Sequence, residues 1–252
     1  MRSLATALAA AALLCGGCKK PPEEEGPTTP PPRDGKLGVR RCAETPGPKN
    51  RVLPVLQRPF DNQYPVFYVF DHQTPGEIKP YDSASRAETW CGLTLFGMLE
   101  GFDGYAWGLP RKTPVLAAAK GEVVYAGIEE PYHCPLTGQI VRNQLTVRVK
   151  HEKLGGIGFI TEYSSLGSLT VKVGDSIVAG QRVGLSGDTG CVTEPLLTFK
   201  VLRLTGTRTG QPTTVDPYGW DGPGPDPWAR HARGTESLYL WQDGEAPTLG
   251  GR

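Results

Sequence analysis

Beyond residue 50, apolar and polar residues alternate along the chain in short runs. Runs with period two occur at residues 65–70, 145–150 and 197–202. Such alternation is typical of β-strands with one buried face. Glycine or proline closes nearly every run, as at Gly174-Asp175, where turns are favoured. Only Ala84 to Leu99 leaves room for a short helix, and part of that stretch fits a strand equally well. The pattern predicts one β domain from about residue 43 to residue 252.

The N-terminus has a different pattern. An apolar run from Leu4 to Leu14 follows Arg2, and at about 1.5 Å per residue it would cover only about half of a bilayer core. The run predicts an export signal over residues 1–17 rather than a permanent membrane span. Gly16-Gly17-Cys18 resembles the bacterial lipobox, although Cys15 stands where that motif usually has leucine. The resemblance implies a lipid anchor, including palmitate, on Cys18; plain secretion and a buried N-terminal helix are the alternatives.

Composition separates a tether from the domain and limits the partners. Residues 18–42 are rich in proline and charge and poor in apolar residues, which predicts an extended linker. The whole chain has 27 basic and 26 acidic residues, and removal of residues 1–17 takes away Arg2 and leaves a neutral protein. Because nucleic-acid binding depends on positive charge, we expect no nucleic-acid partner.

Four cysteines remain in the exported part of the chain: Cys42, Cys91, Cys134 and Cys191. An even number in an oxidising compartment predicts two disulfides, and the spacing alone leaves all three pairings open. These four cysteines include no C-x-x-C pair that would suggest a zinc site built from cysteines alone.

Six blocks in order resemble the lysostaphin-like, LytM-type peptidoglycan endopeptidases. The blocks are Phe102 to Val124, Val147 to His151, Thr161 to Leu166, Val171 to Asp175, Gly180 to Gly184 and Ser186 to Val201. The resemblance implies a single all-β domain, an antiparallel β-sandwich or barrel-like fold (the duplicated hybrid motif), with an N-terminal extension. It also implies a zinc groove whose ligands come from H-x-x-x-D and H-x-H motifs, with two further histidines assisting the hydrolytic water.

All five functional positions of that pattern are substituted. Phe102, Ala106 and Thr198 stand at the ligand positions, while Ser165 and Leu196 stand at the catalytic ones. Phenylalanine, alanine and leucine have no lone pair, and threonine is a poor zinc ligand. We therefore expect no cofactor, and expect zinc only if unrecognised ligands bind it. The four histidines, His72, His133, His151 and His231, lie at other positions and are expected to be ordinary surface or hydrogen-bonded residues.

The resemblance also suggests secondary features of the groove. It implies that Cys134 and Cys191 lie in loops at the groove rim, so we favour their pairing and that of Cys42 with Cys91. Tyr105, Trp107 and Tyr163 lie near the substituted positions and are candidate groove-binding residues, with the protein core as the alternative. Asp103 is expected to be an exposed turn residue. A calcium loop formed by Asp216, Asp221 and Asp226 is a further alternative, and these residues lie in a tail that is expected to pack as an irregular strap.

The sequence as a whole predicts a pseudoenzyme. After the signal peptide and tether come an N-terminal β extension at 43–100, a degenerate LytM-type domain at 101–205 and an irregular C-terminal strap at 206–252. The expected function is binding peptidoglycan or a cell-wall hydrolase, and so regulating or localising wall remodelling. The alternative is an active zinc metalloendopeptidase that cleaves peptidoglycan crosslinks through non-standard ligands. The expected location is the cell envelope, lipid-anchored and facing the periplasm, with Lys19 after Cys18 favouring the outer membrane.

Overall fold

The alternating runs form β-strands. The structure is a computed structural model that describes residues 51–154, 156–207 and 209–249; the signal peptide, Cys18, the tether and Cys42 lie outside them. Within the described ranges, no helix is both long and apolar enough to cross a membrane. The elements are β1 (Arg51–Leu56), β2 (Val66–Tyr68), β3 (Arg86–Glu88), β4 (Thr94–Phe96), β5 (Tyr105–Trp107), β6 (Pro114–Leu116), β7 (Gly121–Ile128), β8 (Tyr132–His133), β9 (Ile140–Val141), β10 (Leu145–Leu154), β11 (Ile157–Ser164), β12 (Leu166–Leu169), β13 (Ser176–Ile177), β14 (Arg182–Ser186), β15 (Leu197–Arg203), β16 (Thr213–Val215), α1 (Pro227–Arg230) and β17 (Tyr239–Trp241).

The largest sheet has eight strands in the order β13-β7-β10-β11-β15-β5-β2, with β16 also paired to β15. Its neighbouring strands are antiparallel. The three runs identified by alternation contribute to β2, β10 and β15, which confirms the predicted all-β class. The stretch that left room for a helix, Ala84 to Leu99, instead contains the β3–β4 pair, in which Ala87 lies opposite Leu95.

A second sheet, β12-β14-β6, contributes to the same hydrophobic core as the first. Val115 and Val183 come from the small sheet, and Tyr163 and Phe199 from the large one, and all four are fully buried. Their burial fixes which face of each strand points inward, because successive side chains of a strand point to opposite faces. The opposite face of the large sheet near β5 and β15 is therefore available for a site.

The C-terminal segment packs on this core and is more regular than expected. Its described part includes β16, α1 and β17, and β17 pairs in parallel with β1. Trp241 of β17 lies with its ring centroid 5.8 Å from that of Phe199, and Tyr218 lies 5.6 Å from Trp241. Aromatic burial of this kind adds to the strand pairing in stabilising the attachment of this segment.

Candidate functional site

The five substituted positions lie together beside strands β5 and β15. Thr198 on β15 lies opposite Ala106 on β5 in the sheet register. Ser165 forms the turn between β11 and β12, and its Oγ is 3.4 Å from Thr198 Oγ1. Phe102 and Leu196 pack with Ala106 in one apolar cluster. Residues that are distant in sequence therefore meet in space at the place where the resemblance implies a zinc site.

An apolar cluster fills this place. We call it the plug; its members are Leu99, Phe102, Ala106 and Leu196, with exposed fractions of 4%, 7%, 1% and 3%. The partly buried side chains that cover the plug are Phe67, Tyr68, Leu136 and Val192. The ring of Tyr68 lies 5.7 Å from the ring of Phe102, centroid to centroid. The plug is a small second core, separate from the main one.

The side chains at this place do not fit a zinc ion. Zinc binds thiolate sulfur, imidazole nitrogen or carboxylate oxygen, and the three plug residues at substituted positions offer none of these. The hydroxyl groups of Ser165 and Thr198 face each other. Among the described residues, no group of three or more His, Cys, Asp or Glu side chains could hold a metal ion.

The four histidines make contacts away from the plug. His151 is buried, with Nδ1 2.8 Å from Lys120 O and Nε2 2.9 Å from Thr161 Oγ1. Its pKa is lowered, mainly by burial. His133 is exposed, and His231 stacks on Trp228 with 5.2 Å between ring centroids.

His72 is completely buried between two carboxylates. Its Nε2 is 2.9 Å from Asp216 Oδ2 and its Nδ1 is 2.8 Å from Asp226 Oδ1. Burial lowers the pKa of His72, but hydrogen bonds and charge attraction from both aspartates outweigh it and raise the pKa to about 9. Tyr105 also donates its hydroxyl to Asp216. Asp216 and Asp226 are therefore engaged by His72 rather than arranged as a calcium loop.

A row of ion pairs lies on the sheet next to the plug. Arg148 contacts Glu162 and Glu129 at 2.7 Å each, and Lys200 contacts Asp103 at 2.6 Å. Lys200 also lies opposite Glu162 in the register of β15 and β11. Burial lowers the pKa of Lys200, but Asp103 and Glu162 outweigh it and raise the pKa above its usual value. Asp103 was expected to be exposed; it is instead largely buried and paired with Lys200.

Of the two interpretations of the three aromatic residues, groove binding and burial in the core, the structure supports burial in the core. Tyr105, Trp107 and Tyr163 are each 0% exposed and belong to the main core. Tyr105 and Trp107 flank Ala106 on β5, so strand alternation directs them to the face opposite the plug. The Tyr163 hydroxyl accepts a hydrogen bond from the Ala118 N–H at 2.7 Å. None of the three is accessible to a ligand.

A pocket of about 290 Å³ opens beside the plug. Its lining includes Leu196 from the plug, Tyr68 from β2, and Tyr81, Leu136, Val192 and Glu194 from loops. Burial raises the pKa of the Tyr68 hydroxyl, and the neighbouring Tyr81 and Glu194 raise it further. Tyr68, Tyr81 and Glu194 were not predicted as site residues, because their segments share no motif and only the fold brings them together.

A disulfide braces one side of this pocket. Cys134 is bonded to Cys191, as favoured from the sequence. Leu136 and Val192, which follow these cysteines closely, both cover the plug and line the pocket. The Cys191 N–H also bonds to the Tyr132 hydroxyl at 3.1 Å. Cys91 is disulfide-bonded as well, while its predicted partner Cys42 lies outside the described residues.

Comparison with known proteins identifies relatives of part of the chain. Over 115 residues the chain is 36% identical to the cell division protein DipM of Caulobacter vibrioides, covering 46% of this chain and 16% of DipM. Over 100 residues it is 32% identical to the peptidoglycan DD-endopeptidase ShyA of Vibrio cholerae, covering 40% of this chain and 20% of ShyA. The matched segments thus span a minor part of both relatives.

Similar solved structures and a family profile were also found. The catalytic domain of lysostaphin from Staphylococcus simulans is 27% identical, with a TM-score of 0.39, over 61% of this chain and 89% of that domain. A peptidase from Pseudomonas aeruginosa, described as a member of M23, is 22% identical, with a TM-score of 0.37, over 67% of this chain and 55% of that one. The sequence profile of peptidase family M23 matches residues 100–217. The chain therefore carries a peptidase family M23 domain, of the LytM type, in residues 100–217.

Proposed function

We propose that this protein is a non-catalytic M23-type protein of the cell envelope that binds peptidoglycan and thereby localises or regulates wall remodelling. The observation that carries the proposal is the plug. Phe102, Ala106 and Leu196 pack together at the place where the resemblance implies the hydrolytic centre. The names of the relatives support a cell-wall setting, since one is a peptidoglycan DD-endopeptidase and another a cell division protein.

The plug gives a physical reason for a fold that persists without metal. Burial of a phenylalanine or leucine side chain stabilises a protein by about 1.5–3 kcal/mol. Histidine and aspartate at the same positions, left unpaired, would instead cost free energy because polar groups lose their water. In M23 enzymes zinc would polarise the peptide carbonyl and acidify a water molecule. Phe102 and Leu196 supply neither function, so the groove is suited to binding without hydrolysis.

The size of the pocket favours a short wall peptide over a partner protein. Its volume of about 290 Å³ lies at the lower end of small-ligand sites, which span about 300–1,000 Å³. A stable protein partner would need about 800 Å² of contact on each side. The pocket by itself matches one side chain of a peptide, and its lining includes Leu196 and residues that follow the two bonded cysteines, Leu136 and Val192. The alternative partner is a cell-wall hydrolase, and the sedimentation experiment below distinguishes it from peptidoglycan.

The anchoring part of the proposal rests on the sequence. Gly16-Gly17-Cys18 provides the lipidation site, and residues 18–42 provide the proline-rich tether. At about 3.1 Å per residue in an extended conformation, this tether would span several tens of ångströms. A lipid on Cys18 would then hold the domain facing the periplasm, within reach of the wall.

Co-sedimentation with purified peptidoglycan sacculi tests the proposed binding. The mature protein, extracted from membranes in detergent, is expected to sediment with sacculi. Replacement of Val192 by tryptophan should fill the pocket and abolish sedimentation. The matched control Val178→Trp, at a site that is 64% exposed and outside the pocket, should leave sedimentation unchanged.

Three results would contradict the proposal. Failure of the unaltered protein to sediment would overturn peptidoglycan binding. Sedimentation that V192W leaves intact would remove the pocket from the proposal. If the protein sediments only after a cell-wall hydrolase is added, it binds the hydrolase and not peptidoglycan itself.

A further inference from the structure

The pocket beside the plug is lined by both aliphatic and polar side chains. Val66, Leu136, Val192 and Leu196 supply aliphatic surface. Two phenol rings and a carboxylate, those of Tyr68, Tyr81 and Glu194, also line it, and Tyr81 and Glu194 lie near enough to the Tyr68 hydroxyl to raise its pKa. A ligand with a short aliphatic chain and one polar terminus matches this division.

The fold holds the two tyrosines on opposite supports. Tyr68 is on β2 and its ring contacts Phe102 of the plug. The Tyr81 backbone N–H donates to Pro135 O at 3.2 Å, next to Cys134, and the Tyr81 hydroxyl donates to Gly97 O at 3.4 Å. One ring thus rests on the plug, and the other is tied to the disulfide loop and the end of β4.

The charge of the pocket lining indicates which kind of polar group a ligand should carry. Of the described residues that line it, Glu194 is the one with a carboxyl or basic side chain. Glu194 is exposed and makes other contacts, but a carboxylate offers about four acceptor positions. A carboxylate and aromatic rings together attract cations, because the ring faces are electrostatically negative. An anionic terminus would be repelled by Glu194.

We propose that this pocket binds a primary alkyl-ammonium group, the side-chain amine of a diamino acid such as lysine in a short peptide. The methylenes lie along Leu136, Val192 and Leu196, and the ammonium lies among Tyr68, Tyr81 and Glu194. This inference rests on the proposed function, since it names the part of a wall peptide that is recognised. The carboxylate of Glu194 should favour an ammonium group over a neutral polar group, because a charge-assisted hydrogen bond is stronger than a neutral one.

Calorimetric titration with three short peptides tests the inference. The peptides are identical except for one position, which is lysine, Nε-acetyl-lysine or norleucine. The unaltered full chain is expected to bind the lysine peptide about tenfold more tightly than the other two. Glu194→Gln should remove this preference, and Tyr81→Leu should weaken binding of the lysine peptide. The control Glu152→Gln, at an exposed residue paired with Lys120 outside the pocket, should leave the affinities unchanged.

The outcomes separate this inference from the proposed function. Equal affinities for the three peptides would overturn ammonium recognition, as would a lysine preference that persists in E194Q. Normal sedimentation with sacculi whose amines are acetylated would also overturn ammonium recognition. The proposed binding to peptidoglycan would still hold in that case. If neither native nor acetylated sacculi sediment the protein, the proposed function fails as well.

Discussion

The buried pair of aspartates around His72 makes a quantitative prediction about stability. His72 is 0% exposed, and its two ring nitrogens lie 2.9 and 2.8 Å from Asp216 and Asp226. These contacts connect the loop after β2 to the C-terminal segment. The pKa of His72 rises from 6.5 to about 9, which corresponds to about 3 kcal/mol of folding free energy.

The sign of the pH dependence follows from the direction of this change. A histidine whose pKa is higher in the folded protein than in the unfolded one stabilises the fold when it is protonated in both states. That stabilisation is complete below pH 6.5 and is lost progressively as the pH rises through about 9. The other titratable side chains facing the aspartates, Tyr105 and Tyr218, have pKa values raised well above 10 by burial. They remain neutral in the folded protein over this range, and because they begin to ionise in the unfolded chain near pH 10, they lower stability further at that end.

Urea unfolding at several pH values measures the effect. We expect the free energy of unfolding to fall by about 3 kcal/mol between pH 6 and pH 10. His72→Gln should lower stability at pH 6 and flatten the pH dependence, because glutamine carries no charge to offset the aspartates. His133→Gln, at an exposed histidine, is the matched control and should behave like the unaltered protein. A flat profile in the unaltered protein would refute the reasoning even if H72Q failed to fold.

Three further predictions concern the plug, the disulfide and the anchor. Leu196→Ala should lower the free energy of unfolding by about 3 kcal/mol, whereas Ile128→Ala, at a 59% exposed residue, should change it little; equal effects in urea unfolding would contradict the plug. Replacing Cys134 and Cys191 together by alanine should lower the free energy of unfolding by about 4 kcal/mol, because the disulfide links residues 57 apart in sequence. The same change should weaken sacculus binding, and unchanged binding would show that the disulfide does not shape the pocket. Cys18→Ser should abolish incorporation of labelled palmitate and release the protein from membranes, and persistent labelling would disprove anchoring at that cysteine.

The sequence was most informative where local pattern decides the structure. Alternation at residues 145–150 and 197–202 predicted strands that the fold contains, because each buries one face. The family pattern also selected Phe102, Ala106 and Leu196, which meet in the plug. Their shared apolar character was readable in the sequence, since it follows from residue type alone.

Side-chain direction was the first feature that the sequence analysis missed. Tyr105 and Trp107 were expected near a groove because they flank Ala106, but flanking residues of a strand face the other way. Proximity in sequence therefore argued for the wrong face. A stricter use of strand alternation would have placed both rings in the core.

Long-range pairing was the second feature that could not be predicted. His72 and Asp216 are 144 residues apart, and no local signal links them. The pocket has the same origin, since Tyr68, Tyr81 and Glu194 come from three separate segments. Such sites depend on the packing of the N-terminal and C-terminal segments around the sheet, and only the fold determines that packing.

The most direct test of the central claim is a peptidoglycan cleavage assay. Purified mature protein is incubated with sacculi and excess Zn²⁺, and newly formed peptide ends are counted, with an active M23 endopeptidase as the positive control. With Phe102, Ala106 and Leu196 packed together at the zinc position, the account predicts no peptide ends above the protein-free background. Release of new ends that a chelator prevents would contradict it and establish this protein as an active zinc endopeptidase.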